Sequence, residues 1–157
     1  MVSEIETNPE AFSDHAALYA LLTEAFSPMA GRIDPPSSLT SMSLEDIARK
    51  AETEDLFLMR AAHRPVACLF AEPRGTTYSL GKLAVARDMR GRGLARTLIE
   101  AAGLRARGLG LRELELQTRV ELTENHAAFA ALGFVEAGRT CHPGYARATS
   151  ITFRKPL

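Results

Sequence analysis

The spacing of apolar positions changes several times along the chain, and each change marks an element. Leu18, Leu21, Leu22 and Phe26 recur at spacings of three and four, the period of a helix with one buried face. Asp14 stands where an N-cap belongs, and Pro28 ends the run. Ser27 to Met42 holds Pro28, Gly31, Pro35, Pro36 and four serines and reads as a long loop. Ser43 followed by Asp46 resembles a capping box with Asp in place of Glu. It opens a second helix that ends near Glu54. From Leu56 the period shortens. Leu56–Ala62 and Pro65–Glu72 are apolar runs around His63-Arg64, a hairpin pattern. Thr77–Val85 is a further strand. Arg90–Arg107 is the strongest helix, with Leu94, Leu98, Ala101, Ala102 and Arg105 as its stripe and Gly108 as its stop. Leu111–Thr118 reads as a strand and Glu124–Leu132 as a short helix ending at Gly133. Phe134–Cys141 and Ala148–Arg154 are strands around the turn Cys141-His142-Pro143-Gly144-Tyr145, and a small first strand is placed near Ile5.

The order is ααβββαβαββ. The strand–helix–strand unit from 77 to 118 makes its two strands parallel. The hairpins at 56–72 and 134–154 make the rest antiparallel. The expectation is a mixed α/β sheet.

Composition narrows the function. The chain has 157 residues, 46% hydrophobic and 24% charged, which fits one globular domain and excludes a disordered, collagenous or disulfide-scaffold protein. Lys+Arg and Asp+Glu are both 19, so no general basic coat for nucleic acid is expected. Met1–Glu10 is acidic and lacks the apolar run of a signal peptide. The longest near-apolar stretch, Ala127–Val135, is nine residues, against the roughly 20 a membrane span needs. Cys68 and Cys141 lie in apolar runs and read as reduced core residues. A cytoplasmic protein with no membrane partner is the expectation. There is no HExxH or Cys–His cluster, so no metal site is expected. There is no nucleophile elbow for Ser-His-Asp chemistry.

The informative stretch is Leu80 to Arg96, where a strand leads through a glycine turn into a helix. Such a turn leaves backbone N–H groups at the helix start without partners, aimed outward with the positive end of the helix dipole, which suits a phosphate. Gly91 and Gly93 remove side chains where a ligand touches the backbone. Arg87, Arg90, Arg92 and Arg96 add charge. A P-loop would need Gly-Lys-Ser/Thr, which is absent. A dinucleotide fingerprint would need a third glycine where Arg96 stands. The remaining form is Arg/Gln-x-x-Gly-x-Gly/Ala, matched by Arg90-x-x-Gly93-x-Ala95. With the Leu-x-Val strand end before it and the Asn125…Gly133-Phe134 step after it, the segment resembles the acetyl-CoA loop of the GCN5-related N-acetyltransferases (GNAT). The resemblance covers roughly residues 55–155.

That resemblance implies a fold: a single mixed, mostly antiparallel sheet with a central splayed parallel strand pair, flanked by helices. Residues 1–157 would form a single N-acetyltransferase domain. It implies acetyl-CoA as co-substrate, with its pyrophosphate on Arg90, Gly91, Arg92, Gly93, Leu94, Ala95 and Arg96. Its pantetheine would lie along Leu83, Ala84 and Val85, with Asn125 and Phe129 beside it. One strand N–H would polarise the thioester carbonyl. An amine would attack acetyl-CoA directly, both reactants being held together. A small-molecule amine is the expected acceptor, and a homodimer is the family's frequent state.

The chain also departs from the family. Many members carry a tyrosine, four residues before the Gly of Gly-Phe, as acid for the CoA sulfur; here Phe129 stands there, and phenylalanine has no proton to donate. Asn125 is eight residues before Gly133, where the commoner spacing is about eleven, close to one helical turn away. The frequent central-strand glutamate base is missing; that strand offers Lys82, a cation near neutral pH. His142 and Tyr145 are the candidate proton carriers, in a turn that borders the substrate site in this family. The competing reading is a surface turn shaped by Pro143 and Gly144. Arg32, in the loop Arg32–Ser38, could pair with a substrate carboxylate, or the loop is a plain two-proline connection. The alternative to an enzyme is a non-catalytic acyl-CoA-binding or regulatory module on the same fold, which Phe129 favours.

Overall fold

Helix capping sets the first two helices. The computed structural model describes residues 1–157. After a two-residue strand β1 (Glu6–Thr7), Asp14 accepts a bond from the Ala17 N–H at 3.1 Å and opens α1 (His15–Phe26), which buries Leu18, Leu21 and Leu22. Ser43 and Asp46 bond each other's backbone N–H in a reciprocal box, so two otherwise orphaned donors are satisfied at the start of α2 (Leu44–Thr53). The sheet follows with β2 (Asp55–Ala61), β3 (Arg64–Arg74), β4 (Thr77–Val85), the crossover helix α3 (Leu94–Gly108), β5 (Glu113–Arg119), helix α4 (Thr123–Ala131), β6 (Val135–Thr140) and β7 (Ser150–Pro156).

Seven strands form one sheet in the order β1-β2-β3-β4-β5-β7-β6. Only β4 and β5 are parallel; every other neighbouring pair is antiparallel. The mixed sheet with one central parallel pair is the expected architecture. Alternation of side chains assigns the faces. Asp55 pairs with Ala71, and Ala71 with Leu80, so these share a face with Tyr78. On that face Arg105 of α3 binds Asp55 at 2.9 and 3.1 Å, and the Tyr78 hydroxyl donates to the same carboxylate. Burial pushes Asp55 upward, but the bonds from Arg105, Tyr78 and Asn8 outweigh it and hold the carboxyl below its usual range. Phe70, one residue from Ala71, faces the other way, under Lys50 of α2. Helix α4 lies on the α3 face, where Phe129 meets Phe153 of β7. Helices α1 and α2 cover the opposite face.

Three expectations are corrected here. Helix α3 begins at Leu94 rather than Arg90, because Gly91 and Gly93 both take left-handed φ values, +77° and +76°, which helical backbone excludes. Arg105 belongs to a polar tie between α3 and the sheet, while Ile99 and Ala106 complete the buried stripe. Cys141 is exposed, just beyond β6, and only Cys68 is a core thiol, its pKa pushed up to about 12 by burial.

Candidate active site

The parallel pairing of β4 with β5 covers only Thr77↔Glu113, Tyr78↔Leu114 and Ser79↔Glu115. β5 stays paired to β7 as far as Arg119, so the two central strands part beyond Ser79. A bulge sits at the parting. Phe70 pairs with Gly81 and Cys68 with Ala84, so Lys82 and Leu83 together face Leu69, and Lys82 takes φ +50°. A bulge bends its strand and re-aims a side chain. Farther on, the Ala86 N–H donates to Val66 O of β3 at 2.8 Å. Backbone alternation then turns the Val85 N–H to the other edge, into the gap. A cleft of about 610 Å³ runs through this opening, and its two halves are built differently.

One half is mostly backbone. Arg87–Met89 form a 3-10 turn, pinned to α1 by the Arg87 N–H on Glu24 Oε1 at 3.1 Å. Gly93 then caps α3 with no side-chain acceptor, and the first turn carries no acidic residue. The Thr97 N–H reaches Gly93 O at 3.0 Å, but the amides of Gly91 through Arg96 have no acceptor in the protein. A Cβ on Gly91 or Gly93 would meet no atom within 4 Å, so it is φ and ligand approach that ask for glycine. Unpartnered amides at a helix N-terminus suit an anion. Arg90, Leu83, Ala84, Val85, Asn125 and Phe129 all line the cleft. Gly91, Arg92, Gly93 and Arg96 are exposed beside it, Ala95 is half-buried, and Leu94 is buried in the core. Phe129 stacks against Phe134 and Phe153 at 6.1 and 6.3 Å between ring centres.

The other half is made of side chains from distant segments. Lys82 Nζ donates to Ser38 Oγ at 2.6 Å and lies 5.6 Å from the centre of the Phe26 ring. Burial, and then the charges of Lys50 and Arg119, bring its pKa down to about 8, with Glu54 opposing. Lys82 therefore remains largely a cation near neutral pH, as the sequence indicates, but gives up its proton far more readily than an exposed lysine. Arg119 donates to Pro35 O and Pro36 O at 2.5 and 3.0 Å. Asp34 accepts from the Tyr145 hydroxyl at 2.5 Å and pairs with Arg147 at 3.6 Å, and its N–H donates to Glu121. The long loop between α1 and α2 is thus strapped to the end of β5 and to the β6–β7 loop.

The sequence candidates separate accordingly. His142 lines the cleft, its Nδ1 bonded to Thr149 Oγ1 at 2.5 Å. Tyr145 is off the cleft wall, and the Asp34 carboxylate on its hydroxyl raises its pKa. Arg32 is also off the wall, paired with Glu124 at 2.7 Å. His126 is half-buried, with Nε2 at 2.9 Å from Arg119 O. Lys82 as a tuned group, Arg119 and Ser38 were missed by sequence reasoning; no local motif marks them. No group of three His, Cys, Asp or Glu side chains is placed to hold a metal ion, and no helix is long and apolar enough to cross a membrane.

A mostly antiparallel sheet whose one parallel pair opens beside an amide-lined turn has the acyl-CoA N-acyltransferase fold. The chain belongs to the Acetyltransferase (GNAT) family, whose model matches residues 15–134. Solved structures with the same fold include the ribosomal-protein-S18-alanine N-acetyltransferase from Escherichia coli. It is 22% identical, has a TM-score of 0.73, and the match covers 99% of this chain and 94% of that one. The PaiA N-acetyltransferase from Thermoplasma acidophilum, in complex with coenzyme A, is 16% identical with a TM-score of 0.76, over 99% of this chain and 100% of that one. A GNAT family acetyltransferase from Elizabethkingia anophelis, with acetyl-CoA bound, is 18% identical with a TM-score of 0.70, over 99% and 98%. No curated protein sequence matches the chain.

Proposed function

We propose that the chain, as a single N-acetyltransferase domain over residues 1–157, transfers an acetyl group from acetyl-CoA to the primary amine of a small-molecule acceptor in a ternary complex. The observation that carries this reading is the free edge of β4 running directly into the unpartnered amides of Gly91–Arg96. That arrangement fits a long ligand with a diphosphate at one end and an amide-bearing arm at the other. The residues present suit CoA: Arg90 and the turn amides hold anionic oxygens, Leu83 and Val85 offer backbone groups, and Phe129 gives an apolar wall. Acetyl-CoA supplies an activated acyl group with a thiolate leaving group. The Val85 N–H polarises the carbonyl. The acceptor must be a neutral amine, and the positive field of Lys50, Lys82 and Arg119 disfavours its ammonium form. His142 is the one imidazole on the cleft wall, and we assign it the proton transfer.

The first test is a thermal melt with 1 mM acetyl-CoA. For a Kd of about 10 μM, linkage gives roughly 2.7 kcal/mol, or about 5–10 °C in Tm for a domain of this size. The expected result is that shift with acetyl-CoA and CoA and none with NAD or ATP. Absence of a shift overturns the reading. A second reading, a non-catalytic acyl-CoA-binding module, is favoured by the missing hydroxyl at Phe129. Amine-dependent thiol release separates the two: the enzyme releases CoA, and the module does not.

A further inference from the structure

The cleft's acceptor half holds three carboxylates, and each already carries a cation. Glu54 binds Lys50 at 2.6 Å, Glu72 binds Arg74 at 2.6 Å and Glu115 binds Arg154 at 2.8 Å. Two cations on the same wall have no carboxylate within salt-bridge distance. Lys82 Nζ has only the neutral Ser38 hydroxyl, and Arg119 bonds only the carbonyls of Pro35 and Pro36, with the Glu121 and Asp34 carboxylates acting on it from beyond salt-bridge distance. The groups facing Lys82 are the Phe26 ring of α1, Lys50 and Glu54 of α2, Ser38 of the strap and Arg119 of β5. Half-buried cations beside one another call for an anion. Lysine is rare in this chain, with three lysines, Lys50, Lys82 and Lys155, yet one stands at the bulge where β4 leaves β5. The ammonium of Lys82 still has donors to spare after Ser38, and the guanidinium of Arg119 has three N–H groups beyond the two it gives to the strap.

We infer that the acceptor is an amine bearing a carboxylate, held by Lys82 and Arg119 while the amine faces the acyl group. The inference rests on the acetyl-transfer reading and names its acceptor class. It also separates the two anion sites of the cleft: CoA phosphates on the turn amides and Arg90, the acceptor's carboxylate on Lys82 and Arg119.

The test uses the intact protein with CoA bound, carrying lysine labelled with carbon-13 at Cε; Lys82→Arg assigns its resonance among the three lysines. The titration midpoint of Lys82 is read with N-acetylglycine and, separately, with N-methylacetamide, the same amide without a carboxylate. The expected result is an upward move of half a unit or more, roughly threefold in proton affinity, with N-acetylglycine and none with N-methylacetamide. An unmoved Lys82, or equal movement with both, overturns the inference. Movement on adding CoA alone, with nothing further from N-acetylglycine, also overturns it and assigns the cations to the cofactor. Steady-state turnover gives a second arm. Amino acids should exceed their decarboxylated amines in kcat/KM by about 10- to 100-fold, the worth of one charge-assisted pair. Lys82→Met should collapse that preference, while Lys82→Arg retains part of it. Equal turnover of both amine classes sinks the acceptor class and leaves acetyl transfer standing. Failure of CoA to bind sinks the transfer reading itself.

Discussion

The two halves of the cleft present positive charge with different materials. The cofactor half uses backbone amides from six consecutive residues, Gly91 to Arg96, and needs little from side chains beyond the permission of two glycines. The acceptor half uses side chains and carbonyls drawn together across the sheet. Lys82 meets Ser38 over a separation of 44 residues, Arg119 meets Pro35 over 84, and Tyr145 meets Asp34 over 111. The first is a local property of the chain and survives wherever the turn forms. The second exists only once the strap, β5 and the β6–β7 loop are all in place. On the proposed transfer reading, the co-substrate would occupy the first construction and the acceptor the second.

The sharpest way to break the comparison is Gly93→Asp. It forces a side chain onto a residue at φ +76° and sets a carboxylate against amides that wait for an anion. Loss of two charge-assisted bonds costs about 3 kcal/mol or more, so CoA affinity should fall at least about a hundredfold. The Cβ meets no protein atom within 4 Å, so the domain should still fold. Calorimetric titration with CoA, alongside circular dichroism, checks both halves of that statement. Unchanged affinity would remove the cofactor assignment.

The same contrast explains what the sequence made legible. The Arg90-x-x-Gly93-x-Ala95 spacing, the element order and both helix caps are contiguous patterns, and the structure keeps the element order and both caps. An arginine-rich stretch reads as helix from Arg90, yet α3 starts four residues later at Leu94 because Gly91 and Gly93 are left-handed. The acceptor half left no such trace. Lys82 is aimed by a bulge that depends on the register between β3 and β4, and its depressed pKa depends on burial and on Lys50 and Arg119. The turn that carries His142 marks Tyr145 as a candidate proton carrier, but no local pattern announces that its hydroxyl bonds Asp34, 111 residues away. Cys141 looked apolar by context, yet it follows a strand whose residues are all exposed.

Phe129 belongs to the wall of the backbone half, and Phe129→Ala should act on that half only. Removing a half-buried ring from the wall costs about 1–2 kcal/mol of apolar contact, or about tenfold in acetyl-CoA affinity. It removes no proton donor, so kcat at saturating acetyl-CoA should hold. Initial rates over a matrix of both substrates separate the two parameters. A fall in kcat at unchanged affinity would give the ring a role in the chemical step. Tyr145→Phe should do the reverse at smaller scale. It frees one tie of the strap, so the acceptor KM should rise a few-fold, as expected for an exposed polar contact, while CoA affinity stays put. An equal loss for both substrates would mean that the halves are coupled through the strap.

The smallest effect concerns stability, and its sign is the informative part. The Lys82 pKa falls from 10.5 to about 8 on folding. Between those values the unfolded chain binds more protons than the folded one, so this group makes stability rise as pH rises through that window. Below about pH 8 its full penalty applies. Lys82→Met removes the penalty and also removes the bond to Ser38 and the contact with Phe26, so the absolute Tm of the variant mixes opposing effects. The pH dependence does not mix them, because it reads only how differently the folded and unfolded chains bind the Lys82 proton. The Tm of the variant minus that of the wild type should be most positive at pH 7 and should decline toward pH 10. A difference flat across that range would mean that Lys82 is as well solvated as a surface lysine, and the side-chain half of the cleft would then lack the uncompensated charge that distinguishes it from the backbone half.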